Sequence, residues 1–197
     1  EAVRMAHSIP ESMGLIIKTP LGTVFHSGDW KIDPTPYVGW VTDEARLRQL
    51  GDEGLLALIC DSTNATRDGT SPSETEVAAT LKELIGQAKG RVCVTTFASN
   101  VARIRAVAEA AAACGREIIA VGRAMDRVIE VARECGLLEG VPDFRSADVY
   151  GYLPREKVVA LVTGSQGEPR AALARIAEGN HPDLTLTPGD QVIFSSR

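Results

Sequence analysis

The sequence has few histidines, few aromatic residues and no long apolar run. Only His7, His26 and His181 carry imidazole, and aromatic side chains make up 5% of the 197 residues. No apolar segment approaches the ~20 residues that a membrane-spanning helix needs, so we expect no membrane partner. The remaining composition, with 44% hydrophobic and 24% charged residues, is typical of a globular protein.

Closely spaced cysteine pairs are also absent. The four cysteines are Cys60, Cys93, Cys114 and Cys135, and no C-x-x-C pair occurs. This spacing argues against a zinc site made of cysteines alone. We expect buried, structural thiols in a reducing compartment, which predicts a cytoplasmic location.

A net charge of -5 does not exclude a nucleic-acid partner, because the charge is unevenly distributed. Residues 89–133 contain eight Lys and Arg against four Asp and Glu, a local charge of +4. A basic stripe of this kind can follow a phosphate backbone. A solvated helix surface explains the same composition.

Short apolar runs alternate with helical patterns, which favours an α/β fold. Pro20 and Gly22 predict a hairpin between the first two strands, whereas the later strands are apolar throughout, as in a mainly parallel sheet flanked by helices. The predicted strands are Met13–Lys18, Gly22–His26, Leu55–Cys60, Val92–Phe97, Glu117–Val121, Lys157–Thr163 and Gln191–Ser195. The predicted helices cover residues 43–50, 73–89, 99–114 and 124–135, with a last one after Pro169. Ser73 and Glu76 predict a capping box at the start of the second of these helices.

Polar, turn-forming residues fill the stretch from Asn64 to Pro72. Such a stretch is typical of a domain junction. We therefore predict one domain over residues 1–66 and a second over residues 67–197.

A first group of candidate residues lies around the predicted hairpin. His7 precedes it and Asp29 follows it, so the two side chains are expected to converge. Imidazole nitrogen and carboxylate oxygen are ligands that zinc and manganese use. A hydrogen-bonded structural pair is the alternative. Asp61 follows another strand, where an ordinary Asx-turn before Asn64 would also explain it.

A second group lies where predicted strands end and helices begin. Free N–H groups at such places can bind phosphate, and open α/β sheets bind ligands at the carboxyl ends of their strands. The candidates are Ser99, Asn100 and Arg103, then Arg123, and then Ser165, Gln166 and Glu168. Ser99 is alternatively a simple helix N-cap. Phe97 is interpreted as a core residue rather than a base-stacking one.

Several motifs, in order along nearly the whole chain, resemble ribonuclease J, a family in the β-CASP branch of the metallo-β-lactamase superfamily. They are His-Ser-Ile-Pro-Glu-Ser from His7, the segment from Thr19 to Lys31, Asp-Ser-Thr-Asn from Asp61, Thr-Phe-Ala-Ser-Asn from Thr96, Val-Gly-Arg from Val121, and Thr-Gly-Ser-Gln-Gly-Glu-Pro from Thr163.

The resemblance implies a metal-dependent ribonuclease that hydrolyses single-stranded RNA with two divalent ions, Zn²⁺ or Mn²⁺. It makes His7 a metal ligand, Asp29 the carboxylate that bridges two ions, and Asp61 an acidic residue beside the metals. It also makes residues 1–66 a partial metallo-β-lactamase domain and residues 67–197 a β-CASP domain that grips RNA. The family further implies a homo-oligomeric parent protein.

The family's principal metal motif, His-x-His-x-Asp-His, is absent. We therefore expect the chain to be an interior piece of a longer enzyme and to be inactive when isolated. Two alternatives remain: an RNA- or nucleotide-binding α/β module without catalysis, and a β-CASP nuclease acting on another nucleic acid.

Overall fold

A computed structural model describes residues 1–196, which form two compact units. The first unit covers Glu1–Glu76 and the second begins at Val77. The junction predicted between residues 66 and 67 lies in the turn-rich stretch just before this division. No helix among the described residues is both long enough and apolar enough to cross a bilayer.

The first unit is a four-stranded mixed sheet with one helix. Strands β1 and β2 and strands β2 and β3 pair in antiparallel fashion, whereas β3 and β4 pair in parallel. The strand order equals the chain order. The elements are β1 (Ala2–Arg4), β2 (Met13–Thr19), β3 (Gly22–His26), α1 (Glu44–Glu53) and β4 (Ala57–Ile59).

The predicted hairpin joins β2 and β3. Thr19 pairs with Gly22, so the loop consists of Pro20 and Leu21. Strand β2 alternates between exposed and buried residues, as expected for a strand with one face on the core. The core of the unit contains Val3, Met5, Ile16, Phe25 and Leu50.

The second unit is an α/β layer whose sheet is parallel throughout, in the order β6-β7-β5-β8. Helix α2 (Glu74–Gln87) starts in the first unit and leads into the second. The elements that follow are β5 (Val92–Thr95), α3 (Val101–Ala113), β6 (Glu117–Val121), α4 (Arg123–Glu134), β7 (Val158–Val162), α5 (Ala172–Ala177) and β8 (Gln191–Phe194). Two 3₁₀ turns, Ala147–Val149 and Arg155–Lys157, lie between α4 and β7.

Strand β7 shows why the sequence favours a parallel sheet. All five of its residues are buried, with exposed fractions of 1% or less. A strand covered on both faces selects apolar residues without alternation. The predicted α/β class and its mainly parallel sheet are therefore confirmed.

The capping box at Ser73 is confirmed. The Glu76 carboxylate accepts from the Ser73 amide, and the Ser73 hydroxyl accepts from the Glu76 amide. The predicted cap at Ser99 is wrong, because Asn100 is the N-cap of α3 and its Oδ1 accepts from the amide of Arg103 at 2.9 Å. An Asn side chain fills this role as well as Ser does.

The expectation of buried cysteines holds fully only for Cys93. Burial raises the pKa of the Cys93 thiol to about 12. Cys60 and Cys135 are exposed, because the first follows the exposed strand β4 and the second ends α4. All four cysteines are free.

Asp190 joins three segments of the second unit just before β8. Its carboxylate accepts from the amides of Arg91 and Thr187 at 2.9 Å and from the Arg155 guanidinium at 2.8 Å, and its side chain is 1% exposed. Burial acts to raise the pKa of Asp190, but these hydrogen bonds, led by that of Arg155, outweigh it and lower the pKa. The stabilisation is thus present above the ordinary Asp pKa and is lost as pH falls through the lowered value.

We expect Asp190→Asn to reduce the free energy of unfolding by about 2–4 kcal/mol, because the amide nitrogen faces donors and the Arg155 charge loses its partner. Asp143→Asn is the matched control, since the Asp143 side chain, paired with Arg133, is 87% exposed. Its effect should stay below about 1 kcal/mol. Urea unfolding measures both. Equal losses in the two variants would contradict this role of Asp190.

Candidate functional site

Backbone and side-chain hydrogen bonds bring the segments of His7 and Asp29 together in the first unit. The Lys31 amide donates to the Ala6 carbonyl at 2.8 Å, and the Ser12 hydroxyl donates to the Asp29 carbonyl at 2.9 Å. The His7 residue is half-buried and Asp29 is exposed. The two candidate ligands therefore lie on adjacent segments at one edge of the sheet.

Asp61 reaches the same edge through the parallel pairing of β3 with β4. The pairing continues past the strands, because the Ser27 amide donates to the Ile59 carbonyl at 2.9 Å. The Asp61 amide then donates to the Ser27 hydroxyl at 3.1 Å. Ser27, which directly follows β3, is thus hydrogen-bonded both to the end of β4 and to Asp61. Asp29 follows the first of these strands and Asp61 the second.

The Asp61 carboxylate is held in its ionised form. Hydrogen bonds from the Thr63 hydroxyl, at 2.5 Å, and from the Thr63 amide, at 2.9 Å, lower the pKa of Asp61. The charge of His7 lowers the pKa of Asp61 further. The Asx-turn considered as the alternative explanation of Asp61 is therefore present.

The donor chemistry of His7 and Asp29 fits a divalent metal ion. Within residues 1–196, however, no three His, Cys, Asp or Glu side chains lie close enough together to hold an ion. The described residues alone therefore do not form a complete metal site. His26 is engaged differently, since its Nδ1 accepts from the Gly28 amide at 3.0 Å. It stabilises the turn that leads to Asp29.

An apolar cavity of about 240 Å³ lies between α1 and the sheet of the first unit. Trp30 lines it, and the indole N–H donates to the Cys60 sulfur at 3.2 Å. The walls are mostly apolar, including Phe25, Leu50 and Leu58. The cavity is therefore a packing feature beside the polar site.

In the second unit, three neighbouring strands end at one level. Val162 of β7 pairs with Val121 of β6 and with Thr95 of β5. The loops carrying the other candidate residues leave the sheet at these three positions. The parallel sheet therefore assembles the candidates predicted at strand ends along one carboxyl edge.

The candidates at this edge differ in exposure. Four are exposed, Ser99, Arg123, Gln166 and Glu168, and the Glu168 carboxylate accepts from the Gln166 amide at 3.0 Å. Arg103 is 3% exposed, and its guanidinium donates to the carbonyl and hydroxyl of Ser195 at 2.6 Å. The contact predicted from Arg103 to substrate is therefore contradicted by this buried, structural position.

Gly164 begins the loop after β7 at a φ of +116°. A Cβ at this position would lie 2.9 Å from the Cβ of Leu173. Only glycine combines this backbone with so close an approach. It lets the chain turn directly from β7 into Ser165 and Gln166.

Three buried hydroxyls at the same edge have no hydrogen-bond partner within residues 1–196. They belong to Thr95, Thr96 and Ser165. Buried polar groups are nearly always paired, so these hydroxyls mark a place suited to a polar ligand or water. Thr95 and Thr96 are not among the substrate-binding residues predicted from the sequence. The signal in the sequence that could have identified them is the pair of polar threonines at the end of an apolar strand.

Two further expectations concern the surface of the second unit. Phe97 is 41% exposed, so the interpretation as a core residue is wrong. It follows β5 at the candidate edge instead of filling the sheet interior. Five of the eight basic side chains of residues 89–133 are buried or ion-paired, which argues against a continuous basic stripe. Arg103 and Arg116 are buried, and Arg105, Arg127 and Arg133 pair with Glu109, Glu130 and Asp143.

The family model "Ribonuclease J, beta-CASP domain" matches residues 89–197, more than half of the chain. The chain belongs to the ribonuclease J family. It is 58% identical over 197 residues to "Ribonuclease J" of Sinorhizobium meliloti, covering 100% of this chain and 35% of that protein. It is 46% identical over 193 residues to "Ribonuclease J" of Thermus thermophilus, covering 98% and 34%.

The chain thus spans about a third of the length of these ribonuclease J relatives. Among solved structures, a crystal structure of a protein of unknown function from Enterococcus faecalis matches 98% of this chain and 53% of its own, with a TM-score of 0.59 and 14% identity. At that identity the likeness supports the fold alone. The resemblance to ribonuclease J in the ordered motifs is confirmed.

We expect Thr63→Val to raise the pKa of Asp61 towards the ordinary Asp value, because the variant loses the hydroxyl donor and keeps the backbone donor. Carboxyl ¹³C shifts followed from pH 2 to 7 measure the titration. Thr63→Ser is the control and should leave the pKa lowered. An unchanged Asp61 titration in the valine variant would refute this account of the carboxylate.

Proposed function

We propose that this chain is part of a metal-dependent ribonuclease that hydrolyses phosphodiester bonds of single-stranded RNA, with 5′–3′ exonucleolytic and endonucleolytic action. Membership of the ribonuclease J family carries the proposal. The adjacent segments of His7 and Asp29 support it, because the residues that match family ligands lie at one edge of the first sheet.

His7 and Asp29 would hold divalent ions in this role, Zn²⁺ or Mn²⁺, with Asp29 bridging two of them. When bound, such ions polarise the phosphodiester and lower the pKa of water. Asp61 would stay ionised, because the hydrogen bonds from Thr63 lower its pKa. It would then orient the His7 imidazole from beside the metal ions. Ser12 holds the backbone of Asp29 through its carbonyl, which limits the directions that this carboxylate can take.

The carboxyl edge of the second sheet would bind the RNA. Backbone amides of the loops after β5 and β7 and the exposed Arg123 suit phosphate groups, whereas Phe97 offers a ring for base stacking. The unpartnered hydroxyl of Ser165 supplies a buried donor at the same edge. Ser99, Asn100, Gln166 and Glu168 complete the proposed contacts. Arg103 is left out, because its guanidinium already binds Ser195.

The proposal extends to the whole protein. Residues 1–66 would belong to a metallo-β-lactamase domain and residues 67–197 to a β-CASP domain. The parent protein would be a cytoplasmic homo-oligomer that acts on RNA.

We expect His7→Ala and Asp29→Ala, made in the full-length protein that contains this chain, to lower the rate of RNA hydrolysis by about 10²-fold or more, because each removes a metal ligand. Degradation of a 5′-monophosphorylated RNA measures the rate. His181→Asn is the control, since His181 lies in a turn where its Nδ1 accepts from the amides of Asp183 and Leu184. Full activity in either alanine variant would overturn the ligand assignment.

A non-catalytic RNA- or nucleotide-binding module is the second candidate. It is favoured by the incomplete metal site among residues 1–196, combined with the polar edge of the second sheet. For the isolated 197-residue chain the two proposals agree that catalysis is absent.

We expect the isolated chain to bind a nucleoside 5′-monophosphate weakly and to leave RNA intact. Amide NMR shifts near Ser165 and Gln166 measure binding, and gel analysis of labelled RNA with added Mn²⁺ measures cleavage. Arg123→Met should weaken binding, whereas Arg127→Met should not, because Arg127 pairs with Glu130. Metal-dependent cleavage by the purified chain would contradict the expectation, and shifts confined to other regions would contradict the binding edge.

A further inference from the structure

The Thr42 hydroxyl closes a ring of hydrogen bonds between the two segments that carry the candidate ligands. It accepts from the Ala6 amide at 2.9 Å and donates to the Lys31 carbonyl at 3.4 Å. The Lys31 amide donates to the Ala6 carbonyl at 2.8 Å. Both backbone groups of Ala6 and both of Lys31 are therefore used within one three-residue ring.

The ring stands next to the candidate ligands. Ala6 directly precedes His7, and Lys31 follows Asp29 by two residues. Thr42 is 8% exposed and Ala6 is 2% exposed, so water does not readily replace these bonds. A threonine hydroxyl, which can accept and donate at once, is suited to link an amide to a carbonyl.

The core of the first unit holds Thr42 itself in place. The next residue, Asp43, is the N-cap of α1, and its amide donates to the Arg4 carbonyl at 3.0 Å. Helix α1 is fixed in turn by Leu50, which is 1% exposed in the core. Thr42 thus connects the start of helix α1 to the segments that carry His7 and Asp29.

We propose that Thr42 is a positioning residue, whose hydroxyl sets the separation and relative orientation of His7 and Asp29 so that both can reach the same metal ion. The inference rests on the proposed metal-dependent function. Thr42 touches neither metal nor substrate in this role. It acts through the backbones of Ala6 and Lys31.

The test compares Thr42→Val, which keeps the side-chain shape and loses the hydroxyl, with Thr42→Ser, which keeps the hydroxyl. Thr75→Val is the control, because the Thr75 hydroxyl makes one exposed bond, to the Thr35 carbonyl. All variants are made in the full-length protein that contains this chain. Hydrogen exchange of the Ala6 and Lys31 amides and Mn²⁺-induced broadening of the His7 and Asp29 resonances are measured by NMR.

In the wild type we expect Mn²⁺ to broaden His7 and Asp29 together at one metal concentration. In Thr42→Val the Ala6 and Lys31 amides should exchange about tenfold faster or more, and His7 and Asp29 should no longer broaden together. Thr42→Ser and Thr75→Val should behave like the wild type. Paired broadening and unchanged exchange in Thr42→Val would overturn the positioning role.

Absence of broadening at His7 and Asp29 in the wild type would instead refute their proposed metal role, while the exchange comparison would still report on the ring. If Thr42→Val does not fold, the wild type remains decisive. The Ala6 and Lys31 amides must then show protection factors within about tenfold of each other, as expected for one closed ring. A larger difference would overturn the proposal.

Discussion

Strand β4 pairs in parallel with β3, and the pairing continues through Ser27 to the start of the Asp61 turn. Parallel strands end at the same edge of a sheet, so the residues that follow them emerge together. Because the hairpin is antiparallel, the start of β2 lies at the same edge as the end of β3, with Leu15 opposite His26. A slip of one residue in either pairing would turn the side chains to the other face. The meeting of the His7, Asp29 and Asp61 segments therefore depends on strand register.

In the second unit, parallel pairing likewise brings the residues after the strands to one edge of the sheet, but the side chains there are different. Its strands are all parallel, and the loops after β5, β6 and β7 leave from one level of the sheet. The first unit gathers an imidazole and carboxylates, which suit cations, whereas the second gathers hydroxyls, amides and Arg123, which suit phosphates. Such a division supports the proposed function, in which the first unit would hold metal ions and the second would bind RNA.

The sequence predicted most strands because short apolar, β-branched runs between turn residues favour strands. The hairpin at Pro20 and the capping box at Ser73 rest on local rules and were likewise found. Strand β1 was missed because three residues are too few to show alternation. The burial of Arg103 was not foreseeable, since its partner Ser195 is distant in sequence and only tertiary structure brings the two together. Thr42 was missed for the same reason, because its role consists of bonds to residues far along the chain.

We propose that His7 and Asp29 form part of a metal centre. A crystal structure of the full-length protein grown with Mn²⁺, with data collected at the manganese absorption edge, tests it most directly. We expect anomalous density within about 2.0–2.3 Å of a His7 imidazole nitrogen and an Asp29 carboxylate oxygen. Manganese density that is absent there and present elsewhere in the protein would contradict it.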